Sequence, residues 1–114
     1  MPTGRPNHYL RTERRSAGLS QVELGLLLGV SDVVVANVEN ERHRPSFAFV
    51  LGCTLLFGKS AESLFPYLYN TVQENVQQQA VALDERLRGR TDAYSRKKLA
   101  FLHAYAISDT PARL

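Results

Sequence analysis

Four serines set the frame for this chain. Ser20, Ser31, Ser46 and Ser60 each head an apolar-rich stretch, while Gly18, Gly29 and Gly58 stand where the preceding stretches end. A serine at a helix N-cap accepts a hydrogen bond from a backbone N–H that the first turn leaves unsatisfied. Glycine tolerates the left-handed backbone on which many helices end. Start and stop signals this close together leave room only for short helices. They predict helices over about Asn7–Ala17, with Asn7 as cap, then Gln21–Leu28, Asp32–Asn40 and Phe47–Phe57, and a short fifth helix from Ser60 through Leu64. The one β-branched run, Val33–Val35, is too short to argue for a strand.

The strongest local signal is Leu19-Ser20-Gln21-Val22-Glu23-Leu24. Ser20 and Glu23 form a capping box, with Leu19 and Leu24 placed as a hydrophobic staple. Val30-Ser31-Asp32 repeats the device, with Val35 as the second half of the staple. Glu41-Arg42-His43-Arg44-Pro45 is polar, basic and closed by proline, and reads as a loop. In the fourth helix Phe47, Val50, Leu51, Thr54 and Leu55 recur at helical steps, which predicts the buried face. Phe47, Phe49, Phe57 and Phe65 read as core or near-core, and Cys53 as a buried core residue rather than a nucleophile.

Beyond Pro66 the character changes. Tyr67–Arg88 contains no glycine or proline, and Leu68, Val72, Val76, Ala80, Leu83 and Leu87 fall on one helical face. Gly89-Arg90-Thr91-Asp92 interrupts this pattern. A last helix of about Ala93–Ile107 brings Tyr94, Phe101, Leu102 and Tyr105 together, and Ser108–Leu114 reads as a frayed end. The expected architecture is all-α: a five-helix bundle over 1–65, followed by a C-terminal helical hairpin over 66–114. The stripe of the hairpin suits packing on the bundle and dimerisation equally well.

Composition narrows the function classes. Hydrophobic residues make up 44% and charged residues 22%, which argues against disorder. One cysteine excludes an internal disulfide and a four-cysteine zinc site. His8, His43 and His103 lack metal-ligand spacing. There is no Gly-rich phosphate loop and no nucleophile-with-base arrangement, so neither enzyme activity nor a cofactor or metal is expected. No apolar run reaches the roughly 18 residues of a membrane span, and the N-terminus lacks a signal-peptide core. A cytoplasmic protein without membrane contact is expected. The excess of 14 basic over 11 acidic residues, with a pI near 9.3, suits a nucleic-acid partner.

Residues Gln21–Asn40, QVELGLLLGVSDVVVANVEN, concentrate the functional signal. Leu24, Leu28, Val30, Val35 and Val38 are spaced to lock two helices together across a tight turn at Gly29. Gly25 is small where the helices cross. That arrangement holds the second helix proud of the surface, able to enter a major groove about 12 Å wide.

On these residues the segment from about Leu10 to Phe65 resembles the Xre-type helix-turn-helix family, which includes the phage Cro and lambda-type repressors. Arg14 lies seven residues before Gln21, Ser20-Gln21 opens the second helix, Gly29 makes the turn, Glu39 ends the third helix, and Arg44-Pro45-Ser46 leads into the fourth. The resemblance implies a lambda-repressor-like five-helix domain that binds double-stranded DNA in a sequence-specific way, usually as a homodimer. It implies that Arg14 and Glu39 form a structural pair. It places Asp32, Val33, Val34 and Asn37 toward the bases, and Gln21, Asn40, Arg42, His43 and Arg44 at phosphates.

Several residues depart from that pattern. Valines reach only thymine methyl groups, and Asp32 only a cytosine amino group; Asn37 alone keeps amide chemistry suited to adenine. Glu41 replaces the usual glycine, and Glu13 stands where an apolar residue is usual. Salt-sensitive binding carried by Arg42–Arg44 and the arginines of the first helix is expected. Leu26 and Leu27, with Val33 and Val34, fall outside the core of the motif and form an apolar patch that the C-terminal helices or a protein partner are expected to cover in part. The alternative function is therefore a protein-interaction module of antitoxin or anti-regulator type on the same scaffold.

Overall fold

The computed structural model describes residues 9–108, and all regular structure among them is helical. The elements are α1 (Leu10–Ser16), α2 (Gln21–Leu28), α3 (Asp32–Glu39), α4 (Phe47–Phe57), α5 (Ala61–Leu64), α6 (Pro66–Leu87) and α7 (Ala93–Ser108). The fold class is the expected one. Helix α1 begins at Leu10, later than expected, and the proposed cap Asn7 lies outside the described residues.

All four serine caps form. Ser20 Oγ accepts from Glu23 N at 3.0 Å while Glu23 Oε1 accepts from Ser20 N at 2.9 Å, completing the capping box. Ser31, Ser46 and Ser60 accept from the N–H groups of Val34, Phe49 and Ser63. Gly29 closes α2 with φ of 75°. Pro66 opens α6, where the missing N–H of a proline costs nothing because the first turn leaves that group without an intrahelical partner.

The chain divides into two compact units, Met1–Asn70 and Thr71–Leu114. The core of the first gathers Leu10 from α1, Leu24 from α2, Val35 and Val38 from α3, Phe49 and Cys53 from α4, and Leu64 and Phe65. Leu28, Val30, Val50, Phe57 and Leu68 pack partly against it. The helix-locking set read from the sequence is thus at the centre of this unit. Gly25 earns its small size: a Cβ there would stand 2.6 Å from the Val30 carbonyl oxygen. The Leu28 side chain fills the space that a Cβ on Gly52 would take, which seats α2 on α4.

The buried face of α4 differs from the expected one. Phe49 and Cys53 are buried, whereas Phe47 is 78% and Leu55 84% exposed, and Leu51 is exposed as well. Phe47 is therefore not a core aromatic. Helix α4 reads FAFVLGCTLLF and is apolar on every side, so sequence periodicity does not single out one face.

The second unit is a helical hairpin with a thin seam. Between Thr71 and Ala106 only Leu87 and Ser95 are buried; Ala80 and Asp84 on α6 and Leu99 and Leu102 on α7 are half-buried. Asp92 caps α7, accepting from Ser95 N at 3.0 Å and from Ser95 Oγ at 2.8 Å. These hydrogen bonds hold the Asp92 carboxyl below its ordinary range. Asp84 of α6 accepts from Arg88, one residue past the end of that helix, and lies 3.4 Å from His103 Nε2 of α7.

Candidate nucleic-acid interface

The interface is built on the angle between α2 and α3. Residues Gly29, Val30 and Ser31 join the two helices, and α3 turns 107° from the axis of α2. Helix-turn-helix units cross at about 90–120° with a turn of three or four residues. Two backbone bonds fix that turn: Val30 N donates to Gly25 O at 2.9 Å, and Gly29 N to Leu26 O at 3.4 Å. Val35 and Val38 anchor α3 in the core, so Asp32, Val33 and Val34 face outward. Asn37 is half-buried on the same helix.

The basic loop is tied to the end of α3. The Asn37 carbonyl oxygen accepts from Arg42 N at 2.8 Å and His43 N at 3.3 Å. Asn40, Arg42, His43 and Arg44 are all exposed beside it. Glu41 makes the turn with φ of 63°, a left-handed backbone that favours glycine. This explains why a glycine is usual there in the family that the sequence resembles.

Glu39 gathers the rest of the site. Arg14 Nε donates to Glu39 Oε2 at 2.6 Å and Arg14 Nη2 to Oε1 at 3.1 Å, while Arg14 Nη1 donates to Leu19 O at 2.9 Å. Gln21 Nε2 donates to Glu39 Oε1 at 3.1 Å. Burial alone pushes the Glu39 carboxyl up, but the donors on Arg14, Gln21 and Arg11 and the Arg14 charge hold it below its ordinary value. One carboxylate thereby joins α1, the start of α2 and the end of α3.

Arg11 belongs to this network; the sequence places it among the arginines of the first helix but assigns it no part in the Arg14–Glu39 pair. Its Nε lies 3.4 Å from Glu39 Oε1, and its Nη2 donates to Asn40 Oδ1 at 2.7 Å. The available signal was its spacing: Arg11 sits three residues before Arg14, on the same helical face. Of the α1 arginines named as possible carriers of affinity, Arg14 is buried, Arg11 is engaged with Glu39 and Asn40, and Arg15 is exposed. Glu13, polar where an apolar residue is usual, pairs with Lys59 Nζ at 3.1 Å.

Residues 10–64 match the helix-turn-helix family model. This segment belongs to the Xre-type, lambda-repressor-like helix-turn-helix family. No curated protein and no solved structure matches the chain. The match supports a DNA-binding helix-turn-helix regulator, a class whose role is binding rather than catalysis. No single described helix is long and apolar enough to cross a membrane.

Two features of the helix-turn-helix domain bear on its chemistry. The apolar patch is open: Leu26 is 76% and Leu27 56% exposed, and Val33 and Val34 are exposed too. Within the first unit Leu26 and Leu27 stay uncovered, because the apolar residues that α2 turns inward are Leu24 and Leu28, with Gly25 beside them. Cys53 is fully buried, and burial, with the Glu39 charge as a lesser cause, pushes its thiol up to about 12. It is a packing residue held in the unreactive protonated form.

Proposed function

We propose that this chain is a sequence-specific transcriptional repressor that acts on double-stranded DNA as a homodimer in the cytoplasm, at the nucleoid. In this reading α3 lies in the major groove. Asn37 hydrogen-bonds adenine, Val33 and Val34 contact thymine methyl groups, and Asp32 accepts from cytosine. Gln21, Asn40, Arg42, His43 and Arg44 hold phosphates and set the register. Gln21 Nε2 carries one proton to Glu39 and has a second for a phosphate oxygen.

The observation that carries this reading is the outward face of α3. Asp32, Val33 and Val34 are exposed, and the Asn37 carbonyl holds the basic loop at the end of the same helix. Base-facing and phosphate-facing groups therefore belong to one rigid piece. Recovery of bound sequences from a random duplex pool tests the proposal. The expected result is a two-fold symmetric motif whose half-sites lie about 10–10.5 bp apart or a multiple of that.

The exposed Leu26, Leu27, Val33 and Val34 favour a second reading, a protein-interaction module of antitoxin or anti-regulator type. Salt dependence separates the two. Phosphate contacts give log affinity for random duplex a steep decline with log salt, and a module that does not touch DNA gives none.

A further inference from the structure

We infer that one face of the α6–α7 hairpin is the self-association surface of this protein, and that its occupant is the same face of a second copy. The inference rests on the dimeric reading above and assigns it a place in the fold. Leu83 of α6 and Tyr94, Lys97, Lys98, Phe101 and Leu102 of α7 line one shallow concavity, with the two lysines at its charged rim. Val72 and Val76, eleven and seven residues before Leu83, continue the same side of α6. Tyr94, Lys98 and Phe101 follow at steps of four and three along α7. The two stripes meet at the concavity and make one apolar surface.

That surface is open. Tyr94 is 75% and Phe101 71% exposed, and Val72, Val76 and Leu83 are exposed as well. The seam between the helices does not compensate, because Leu87 and Ser95 are the only buried residues from Thr71 to Ala106. Two helices meeting along one seam form a single layer, and stable architectures close a second layer over the apolar side. The unit runs from Thr71 to Leu114, close to the size of about 40 residues below which stability usually needs oligomerisation, a metal or disulfides. The one cysteine of the chain lies in α4, outside this unit, so no disulfide staples it.

A second hairpin is the occupant that fits. Two such faces, stacked about a two-fold axis, make a four-helix bundle with Tyr94 and Phe101 inside. The two rings alone supply about 300 Å² per copy, taking roughly 200 Å² for a whole aromatic side chain. The exposed Val72, Val76 and Leu83 and the aliphatic stem of Lys98 add to this, toward the ~800 Å² per partner of a standard interface. A weak base-reading helix gains most from such pairing, since two linked half-sites multiply affinity without new contacts.

Sedimentation velocity on the full chain from about 1 to 100 μM tests the inference. The wild type is expected to sediment as a dimer. Phe101→Glu on α7 and Val76→Glu on α6 are each expected to weaken the dimer at least about 30-fold, as loss of a central hot-spot contact does. Both side chains are exposed in the single chain, so helicity by circular dichroism should be retained; the two variants test the face from different helices. Leu55→Glu on α4 should leave the dimer intact. A wild type that stays monomeric overturns the inference, as does a dimer that both hairpin variants keep or that Leu55→Glu dissolves. Random-duplex binding by the wild type separates this result from the DNA reading: salt-dependent binding by a wild type that stays monomeric refutes only the inference, and a wild-type dimer without DNA binding refutes only the function.

Discussion

Arg14 and Glu39 meet through two parallel hydrogen bonds, 2.6 and 3.1 Å long, with both side chains shielded from solvent. The pair fixes α1 to the end of α3, the second helix of the helix-turn-helix. Removing one partner strands a buried charge, which typically costs about 3–5 kcal/mol. Arg14→Ala and Glu39→Ala should each lose that much in urea unfolding. The double variant Arg14→Met/Glu39→Leu should recover a large part of it, because no charge is then left without its partner. Single losses below about 1 kcal/mol would show that the pair does not hold the helices.

The same carboxylate makes stability depend on pH. Glu39 is held below its ordinary 4.5 in the folded chain, so the unfolded chain binds the proton more readily. Its contribution is full above pH 4.5 and is lost as pH falls through the lower folded value. Thermal midpoints should fall on acidification below that point. Glu39→Gln, which has no charge to lose, should flatten this decline.

Gly25 tests the angle of the motif. An added Cβ would press on the Val30 carbonyl oxygen, which is backbone and has no rotamer to change. Gly25→Ala should cost about 1–3 kcal/mol, the usual range for overpacking. It should also weaken DNA binding by opening the turn before α3, measured at a salt concentration and temperature where the variant remains folded.

Glu41 holds a left-handed backbone at φ of 63° that glycine adopts without strain. Glu41→Gly should raise stability by up to about 1 kcal/mol. It also removes a negative charge beside Arg42, His43 and Arg44. Affinity for random duplex should rise accordingly, and unchanged affinity would mean that the loop lies away from phosphates.

The base and phosphate roles separate in one experiment. Asn37→Ala should flatten sequence preference, since the loop is held by its backbone carbonyl and survives the change. Arg42→Ala and Arg44→Ala should weaken all sequences alike and lower the salt slope by about 1 each. An equal loss of sequence preference from all three would contradict the assignment.

Local chemistry wrote most of the helix boundaries into the sequence. A serine cap, a capping box or a left-handed glycine acts within a few residues, so Ser20, Ser31, Ser46, Ser60 and Gly29 could be read without knowing the fold. The locking set Leu24, Val35 and Val38 was legible from its helical spacing on either side of the turn at Gly29. Helix α4 offers no contrast between its sides, and only packing decided that Phe49 and Cys53 point inward while Phe47 and Leu55 do not. Arg11 and Arg14 of α1 and Gln21 of α2 meet on Glu39 of α3, a convergence of three helices that only the packed fold brings about. The sequence by itself determined where each helix starts and stops and that one of them carries a basic loop. The tertiary structure alone decided which sides are left facing water, because burial is set by neighbours distant in the chain.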